Sequence, residues 1–373
     1  MAVDVKSVQT PSQRIYAFAI IGGMGYNPRK KNPLAVYCYV SAITFYLFPS
    51  IIGSFCHVFS DDTSAMRVEA FQITCSVLNI LFRHLNVLLR IRFVMRMVEE
   101  LDEMWAEMIG ENIIPDEFVK VDARLKRFMV SNLVFYLAPM TLIVAEWLRI
   151  NYGLSAEEIR WLYPISTPFP NEWVYSVFLA QLLVSLVVLM SDAGSINILY
   201  GATLYIGHFL NCLQEMVKTR ENFDERIFKF HIKILRQVSY YNNFFSASCF
   251  FVVLVNGFEV SVRIYRAMTN EGNDFLQNAI FSLVLLFPPF VISYCGSHLW
   301  SQNEILFLQT YQNEWYVQTI KRKKELWFLM KIASRPVTFH FHDLCTFGMP
   351  QFTSFCQGIL SYIALLKFFL NER

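Results

Sequence analysis

The sequence predicts an all-α polytopic membrane protein with seven transmembrane helices, a cytoplasmic N-terminus, an extracellular C-terminus and a cytoplasmic helical anchor region. Three observations predict it. Of 373 residues, 55% are hydrophobic and 17% charged, against about 25% charged in an average soluble domain. Apolar runs that reach the length of a bilayer-spanning helix, about 20 residues, recur along the chain. Lys and Arg concentrate in alternate loops, as they do in spanning proteins. The same composition disfavours a soluble enzyme or a disordered chain. A net charge of +2 offers no electrostatic case for nucleic acid as a partner.

The N-terminal segment, 1–33, opens with polar residues. A short apolar run, Ile15 to Tyr26, then ends in Arg29, Lys30 and Lys31. It is too short to span and lies far from the start for a signal peptide, so it is expected to be an interfacial helix. Residues 34–299 are expected to hold six spans that form a ligand-binding bundle. They are Leu34 to Phe59, Val68 to Leu89, Phe128 to Leu148, a run from Trp173 past Tyr205, Phe244 to Val262, and Phe275 to Cys295. The fourth run reaches Leu213, 41 residues in all. At about 1.5 Å per residue that is roughly 60 Å, twice the hydrocarbon thickness. Its second half, with Asp192, Gly194 and His208, is therefore expected to leave the membrane and pack on protein. The second span's helix pattern continues through Arg90, Arg92 and Arg96. The sixth also has a helical-looking C-terminal extension.

Residues 300–348 are expected to be a cytoplasmic anchor helix and linker. Ile305, Leu308, Tyr311 and Trp315 lie on a rough 3–4 period. Glu304, Glu314 and the run Lys321-Arg322-Lys323-Lys324 make this stretch too polar to span. Such a helix must bury its apolar face on protein, and subunit assembly is one way. The last segment, 349–373, carries the seventh helix, Met349 to Leu370. Alternate assignment of loops puts 24 of the 32 Lys and Arg on the N-terminal side and 7 on the other, with Arg83 inside a span. The N-terminal side is thus the cytoplasm by the positive-inside rule. This orientation, and the lack of D-R-Y after the third span, argue against a G-protein-coupled receptor.

Gln357, Ser361, Leu365 and Phe369 share one face of the seventh helix. An uncharged polar stripe ending in apolar residues suits a pore that gates by dewetting. It equally suits a helix–helix interface, where Ser and Gln act as polar glue. The outer halves of four spans carry another signature: Phe71 and Cys75; Tyr136, Pro139, Met140 and Ile143; Tyr175, Phe178 and Leu179; Phe275, Ala279 and Ser282. A cavity between them would be apolar and aromatic with sparse hydroxyls, fit for a small volatile or aromatic ligand. Ordinary bundle packing or lipid contact explains the same residues.

Arg83 with His84, and Glu146, are the ionisable groups singled out within the spans, where such residues suggest a cavity or a pair. A direct Arg83–Glu146 pair is not expected, since the two sit at different depths. The eight Cys form no C-x-x-C pair. His340 and His342 could share a metal, yet no nearby cluster completes four ligands. Neither a metal, a cofactor nor a disulfide framework is expected. No G-x-S-x-G, H-E-x-x-H or P-loop occurs, so no enzyme is expected.

Gly296 after the sixth span, Tyr311 and Trp315 in the anchor, and Phe352, Phe355, Ser361 and Tyr362 in the last helix resemble the signature of the insect odorant receptor family. The resemblance implies a tuning subunit of an odorant-gated, nonselective cation channel, assembled with a shared coreceptor as a heterotetramer in the plasma membrane of a sensory neuron dendrite. It implies assembly contacts at Tyr311, Trp315 and Tyr362. The gate would be Leu365, with Phe368 and Phe369 above it. A short loop between spans four and five points to a tuning subunit rather than the coreceptor. A gustatory-type homomeric channel is the near alternative, and a metabotropic seven-span receptor the more distant one.

Overall fold

The structure, a computed structural model, describes residues 10–11, 52–53, 55–56, 58–59, 64–110, 115–152, 174–219, 225–269, 273–335 and 337–371. The expected interfacial helix and most of the expected first span lie outside these residues. Eight helices and one hairpin follow among the described residues: α1 Ser64–Leu89, α2 Ile91–Gly110, α3 Pro115–Asn151, α4 Val174–Thr219, α5 Glu225–Thr269, α6 Asn273–Gln312, α7 Ile320–Ala333, β1 Phe339–Phe341, β2 Cys345–Phe347 and α8 Met349–Asn371. The hairpin is antiparallel, with His340 opposite Thr346. It is a small addition to the all-α expectation. The seven described cysteines are free thiols.

Helix lengths explain the architecture. α3, α4, α5 and α6 have 37, 46, 45 and 40 residues, so each outruns the roughly 20 that a bilayer needs. The excess of all four lies at the same end. There, with α2 and α7, they form a bundle outside the membrane. The sequence reading placed such extensions on the second, fourth and sixth spans. The structure corrects this, because the third and fifth spans extend as well, at their N-terminal ends. It also breaks the second: a turn at Arg90 separates α1 from α2.

The main core sits in those extensions. Trp105, Phe118, Leu125, Tyr205, Phe209, Phe230, Tyr241, Leu299 and Leu329 belong to one buried cluster. The reason is the solvent. Lipid is as apolar as Leu, so spans gain little by burying Leu, whereas helices in water must hide theirs. α2 shows this locally. Met97, Val98, Leu101, Met104, Trp105 and Met108 are buried at 3–4 spacing, while Glu99 and Glu103 face out.

α6 is the central element, packed on α4 and α5. It carries Pro288 and Pro289 inside the helix. Proline cannot donate to the carbonyl four residues back. The Leu285 carbonyl left open by Pro289 accepts instead from Asn256 Nδ2 of α5, at 2.8 Å. A helix interruption inside lipid is tolerable when a neighbour supplies such a donor.

The expected anchor helix is not continuous. α6 ends at Gln312, and Trp315 lies in a turn where Glu314 has φ 37°. The 3–4 period therefore stops at Tyr311. The face of α6 buried here is Asn303, Leu306 and Thr310, while Leu308 and Tyr311 point outward. Asn303 Nδ2 donates to the Ala333 and Arg335 carbonyls, at 2.7 and 2.9 Å, and so closes the C-terminus of α7.

α8 is held at its inner end by α6. Met349 N–H donates to Ser297 Oγ at 2.8 Å. A Cβ on Gly296 would overlap the Phe347 carbonyl, so only glycine lets β2 lie this close. Higher up, Ile359 and Ile363 pack on Val260 of α5.

Candidate functional site

Two regions carry the expected site residues. The first is the seam between α3, α4 and α6. Tyr136, Ala193 and Val284 are buried together, with Phe135, Leu189 and Phe287 packed around them. Tyr136 is 1% exposed. Its hydroxyl has no hydrogen-bond partner among the described residues. Pro139 and Met140 are buried on the same helix. Ser282 is buried too, but its hydroxyl donates to the Asn278 carbonyl of its own helix at 2.8 Å.

The remaining expected ligand contacts spread out. Phe178 is half-buried and stacks on Trp147 at 3.6 Å between ring centres. Cys75 and Ala279 are half-buried. Phe71, Tyr175, Leu179 and Phe275 are exposed on the outside of the chain. Phe71 meets Phe258 of α5 edge-on at 5.6 Å, an interface separate from that of Tyr136. The side chains of Ile143, Glu146, His84 and Phe369 lie outside the described residues.

The ionisable groups pair differently from the sequence reading. Arg83 forms an ion pair with Asp192 of α4. Its Nε also faces Asn79 Oδ1 at 3.4 Å. Asp192 was expected beyond the membrane and is instead the partner of the one Arg inside a span. Glu259 of α5, which the sequence reading passed over, is buried and accepts from Ser76 Oγ at 2.5 Å. A signal for both existed. Gln72, Ser76, Asn79, Arg83 and Asn86 of α1, and Arg90 in the turn after it, recur every three or four residues. All six have partners: Gln72 the Glu259 carbonyl, Ser76 Glu259, Asn79 the Arg83 guanidinium, Arg83 Asp192, Asn86 Phe244 and Ser248, and Arg90 Asn243. This polar zipper binds α1 to α5 and α4. Polar side chains on facing helices hold bundles together where lipid supplies no hydrophobic drive. A second clasp, Asn132 Nδ2 to Asn197 Oδ1 at 2.7 Å, joins α3 to α4.

The second region is α8. Its two sides differ. Ile359 and Ile363 are 6% exposed on the side toward α5. Gln357, Ser361, Leu365 and Phe368 are exposed on the other. Ser361 Oγ donates to the Gln357 carbonyl at 3.0 Å, so the oxygen's lone pairs remain available outward. Tyr362 is at the margin, 6.2 Å from the Phe258 ring. Of the expected assembly residues, Tyr311 is exposed and Trp315 half-buried. The structure adds exposed Tyr316, Val317, Ile320, Trp327 and Phe328 on the same side-domain, which no period in the sequence marked. His340 is engaged by Asn242, whose Oδ1 accepts its backbone N–H at 2.8 Å. Among the described residues no cluster of three His, Cys, Asp or Glu could hold a metal.

Long helices, a polar zipper at membrane depth and a half-packed terminal helix define a multi-pass helical membrane receptor. The 7tm Odorant receptor family model matches residues 65–360. The chain belongs to that family, whose members are receptors rather than enzymes, and seven spans fit it. No curated protein sequence matches the chain. Among solved structures, the insect olfactory receptor OR5 from Machilis hrabei has the same fold. Its TM-score is 0.84 at 13% identity, over 95% of this chain and 96% of that one. The same receptor in complex with eugenol gives 0.76 at 14% identity, over 97% and 99%.

Proposed function

We propose that this odorant receptor is a tuning subunit of an odorant-gated, nonselective cation channel in the plasma membrane. Its ligand is a small apolar or aromatic volatile held in the outer half of the α1–α6 bundle. Its partner is the shared coreceptor, in a heterotetramer. The N-terminus is cytoplasmic and the C-terminus outside. The observation that carries the reading is the two-sided α8: one face packed on α5, the other exposed and running from Gln357 and Ser361 to Leu365 and Phe368. A helix so built suits a subunit that lines a shared pore. The eugenol complex of the Machilis hrabei receptor makes aromatic volatiles the ligand class to try first.

Gating in this reading is a population shift. The odorant stabilises one packing of the bundle, and Val260 passes it to Ile359 and Ile363. α8 is pinned at Ser297, so its outer part moves and the Leu365 ring dilates. The test is excised-patch recording from cells with this chain, with and without a coreceptor, under an aromatic and terpenoid panel without nucleotide. A rapid cation current that requires both chains is expected. Current from this chain alone would replace the reading with a homomeric, gustatory-type channel. A response that needs G protein would replace it with a metabotropic receptor.

A further inference from the structure

We propose that the inner-leaflet end of the α3–α4–α6 seam is a binding site for the phosphate of an anionic lipid, built from Arg124, Tyr200, Tyr294 and His298. The site lies below the odorant region, and Phe128 links the two by stacking on Phe287 at 6.4 Å. An aromatic ladder leads there. Phe128 stacks on Tyr200 at 3.8 Å, Tyr200 on Tyr294 at 6.4 Å, and Tyr294 on His298 at 6.0 Å. The rungs below Phe128 each end in a hydrogen-bonding group.

Depth is the first argument. From its outer end Asn151, at about 1.5 Å per residue, α3 reaches Arg124 roughly 40 Å in. A bilayer is about 40–45 Å thick with its headgroups. That depth is a headgroup level for Arg124, and the stacked rings bring Tyr200, Tyr294 and His298 alongside it.

Availability is the second. Among the described residues, none of these four side chains makes a hydrogen bond or ion pair. Arg124 and Tyr294 are exposed, and Tyr200 and His298 are half-buried. Glu117, two turns away on α3, is held by Lys120 Nζ at 2.6 Å, which keeps its carboxyl below the usual range. Arg124 lies one turn from Phe128 on the same face of α3, beside the ring that stacks on Tyr200. The His298 imidazole offers a ring N–H. Guanidinium, two phenols and an imidazole are then all donors, which is what a phosphate accepts.

Position is the third. The His298 ring lies against Gly207 of α4, where a Cβ would come within 2.9 Å of Nε2. The glycine lets the imidazole sit over α4.

The lipid source follows from the depth and from the direction of charge. Anionic lipids populate the cytoplasmic leaflet, and basic pockets between spans on that side hold their headgroups. The experiment is native mass spectrometry of the full chain released from bilayers of phosphatidylcholine with phosphatidylinositol. Retained phosphatidylinositol in excess of its bilayer share is expected. Arg124→Gln should cut retention about tenfold, the loss of one charge-assisted bond. Gly207→Ala, which removes no donor, should cut it several-fold by displacing His298. Lys126→Gln takes an equal charge from the opposite side of α3 and should change nothing. An equal loss in Lys126→Gln would reduce the site to diffuse surface attraction and overturn it. So would retention no greater than that of phosphatidylcholine. Displacement by inorganic phosphate would assign the groove to a free anion instead of a lipid. None of these readings depends on odorant response or current, so the site and the channel function stand or fall separately.

Discussion

Arg83 of α1 and Asp192 of α4 form an ion pair that joins two apolar segments. The Arg83 side chain is 7% exposed and that of Asp192 19%. Both charges are largely withdrawn from the surface, so each leans on the other. Breaking one partner of a buried pair costs about 3–5 kcal/mol, because the survivor stays unpaired. Asp192→Asn should therefore lower thermal stability in bilayer nanodiscs sharply. Replacing both, with Arg83→Met and Asp192→Leu, should restore most of it. If the double variant melts as low as the single, the pair is not the source of the loss.

Gly296 and Gly358 give a matched test of how α8 is seated. A methyl at 296 meets the Phe347 carbonyl, which cannot yield without moving β2, whereas a methyl at 358 meets nothing within 4 Å. Gly296→Ala should reduce folded yield or silence the receptor. Gly358→Ala should leave both intact and gain about 0.5–1 kcal/mol of helix propensity. Fluorescence size-exclusion of tagged protein reads the first effect. A normal Gly296→Ala profile with normal current would remove the seat from the account.

Leu365 is 48% exposed in the single chain, so Leu365→Ala removes little internal packing. Stability should stay within about 0.5 kcal/mol of the parent. Basal current should rise, because the proposed constriction narrows on this side chain. Unchanged basal current at normal surface delivery would take the gate away from Leu365.

The Tyr136 hydroxyl is buried without a partner in the described chain. Leaving a polar group unsatisfied costs about 1–3 kcal/mol. Tyr136→Phe should thus stabilise the unliganded receptor. For a ligand whose oxygen bonds this phenol, half-maximal concentration should rise about tenfold; for a hydrocarbon it should not move. Concentration–response curves for a phenol and its deoxygenated analogue separate the two. Identical curves before and after the substitution would place the ligand elsewhere.

Acid should loosen the bundle outside the membrane before it loosens the spans. Burial lowers His208 and His231 from the ordinary 6.5 to about 4. Their unfolded forms bind protons that the folded forms refuse. Their contribution is therefore complete above pH 6.5 and lost as pH falls toward about 4. Melting temperature should drop across that window. A His208→Gln, His231→Gln variant should show a flatter slope, and an unchanged slope would assign the acid response to other groups.

Much of the architecture was legible from residue order. Apolar runs located α1, α3, α4, α5, α6 and α8 because a bilayer demands a fixed length of apolar helix. The 41-residue run from Trp173 forced a helix longer than a membrane, and α4 is that helix. The anchor was less legible. A 3–4 period carries through Trp315 in the sequence, but a left-handed residue at Glu314 ends the helix, and no pattern marks it. The candidate site was legible only as residue types. Tyr136 and Phe71 look alike on paper, yet one is sealed between α4 and α6 and the other faces α5.

By itself, then, the sequence determined the solvent: which segments face lipid, which face water, and which family pattern the last helix carries. Those follow from composition over about 20 residues, a local property. Tertiary structure decided the partners. Arg83 finds Asp192, Ser76 finds Glu259, and Asn256 takes the carbonyl that Pro289 leaves open. A buried polar group must be satisfied by something, and helix packing alone chooses what.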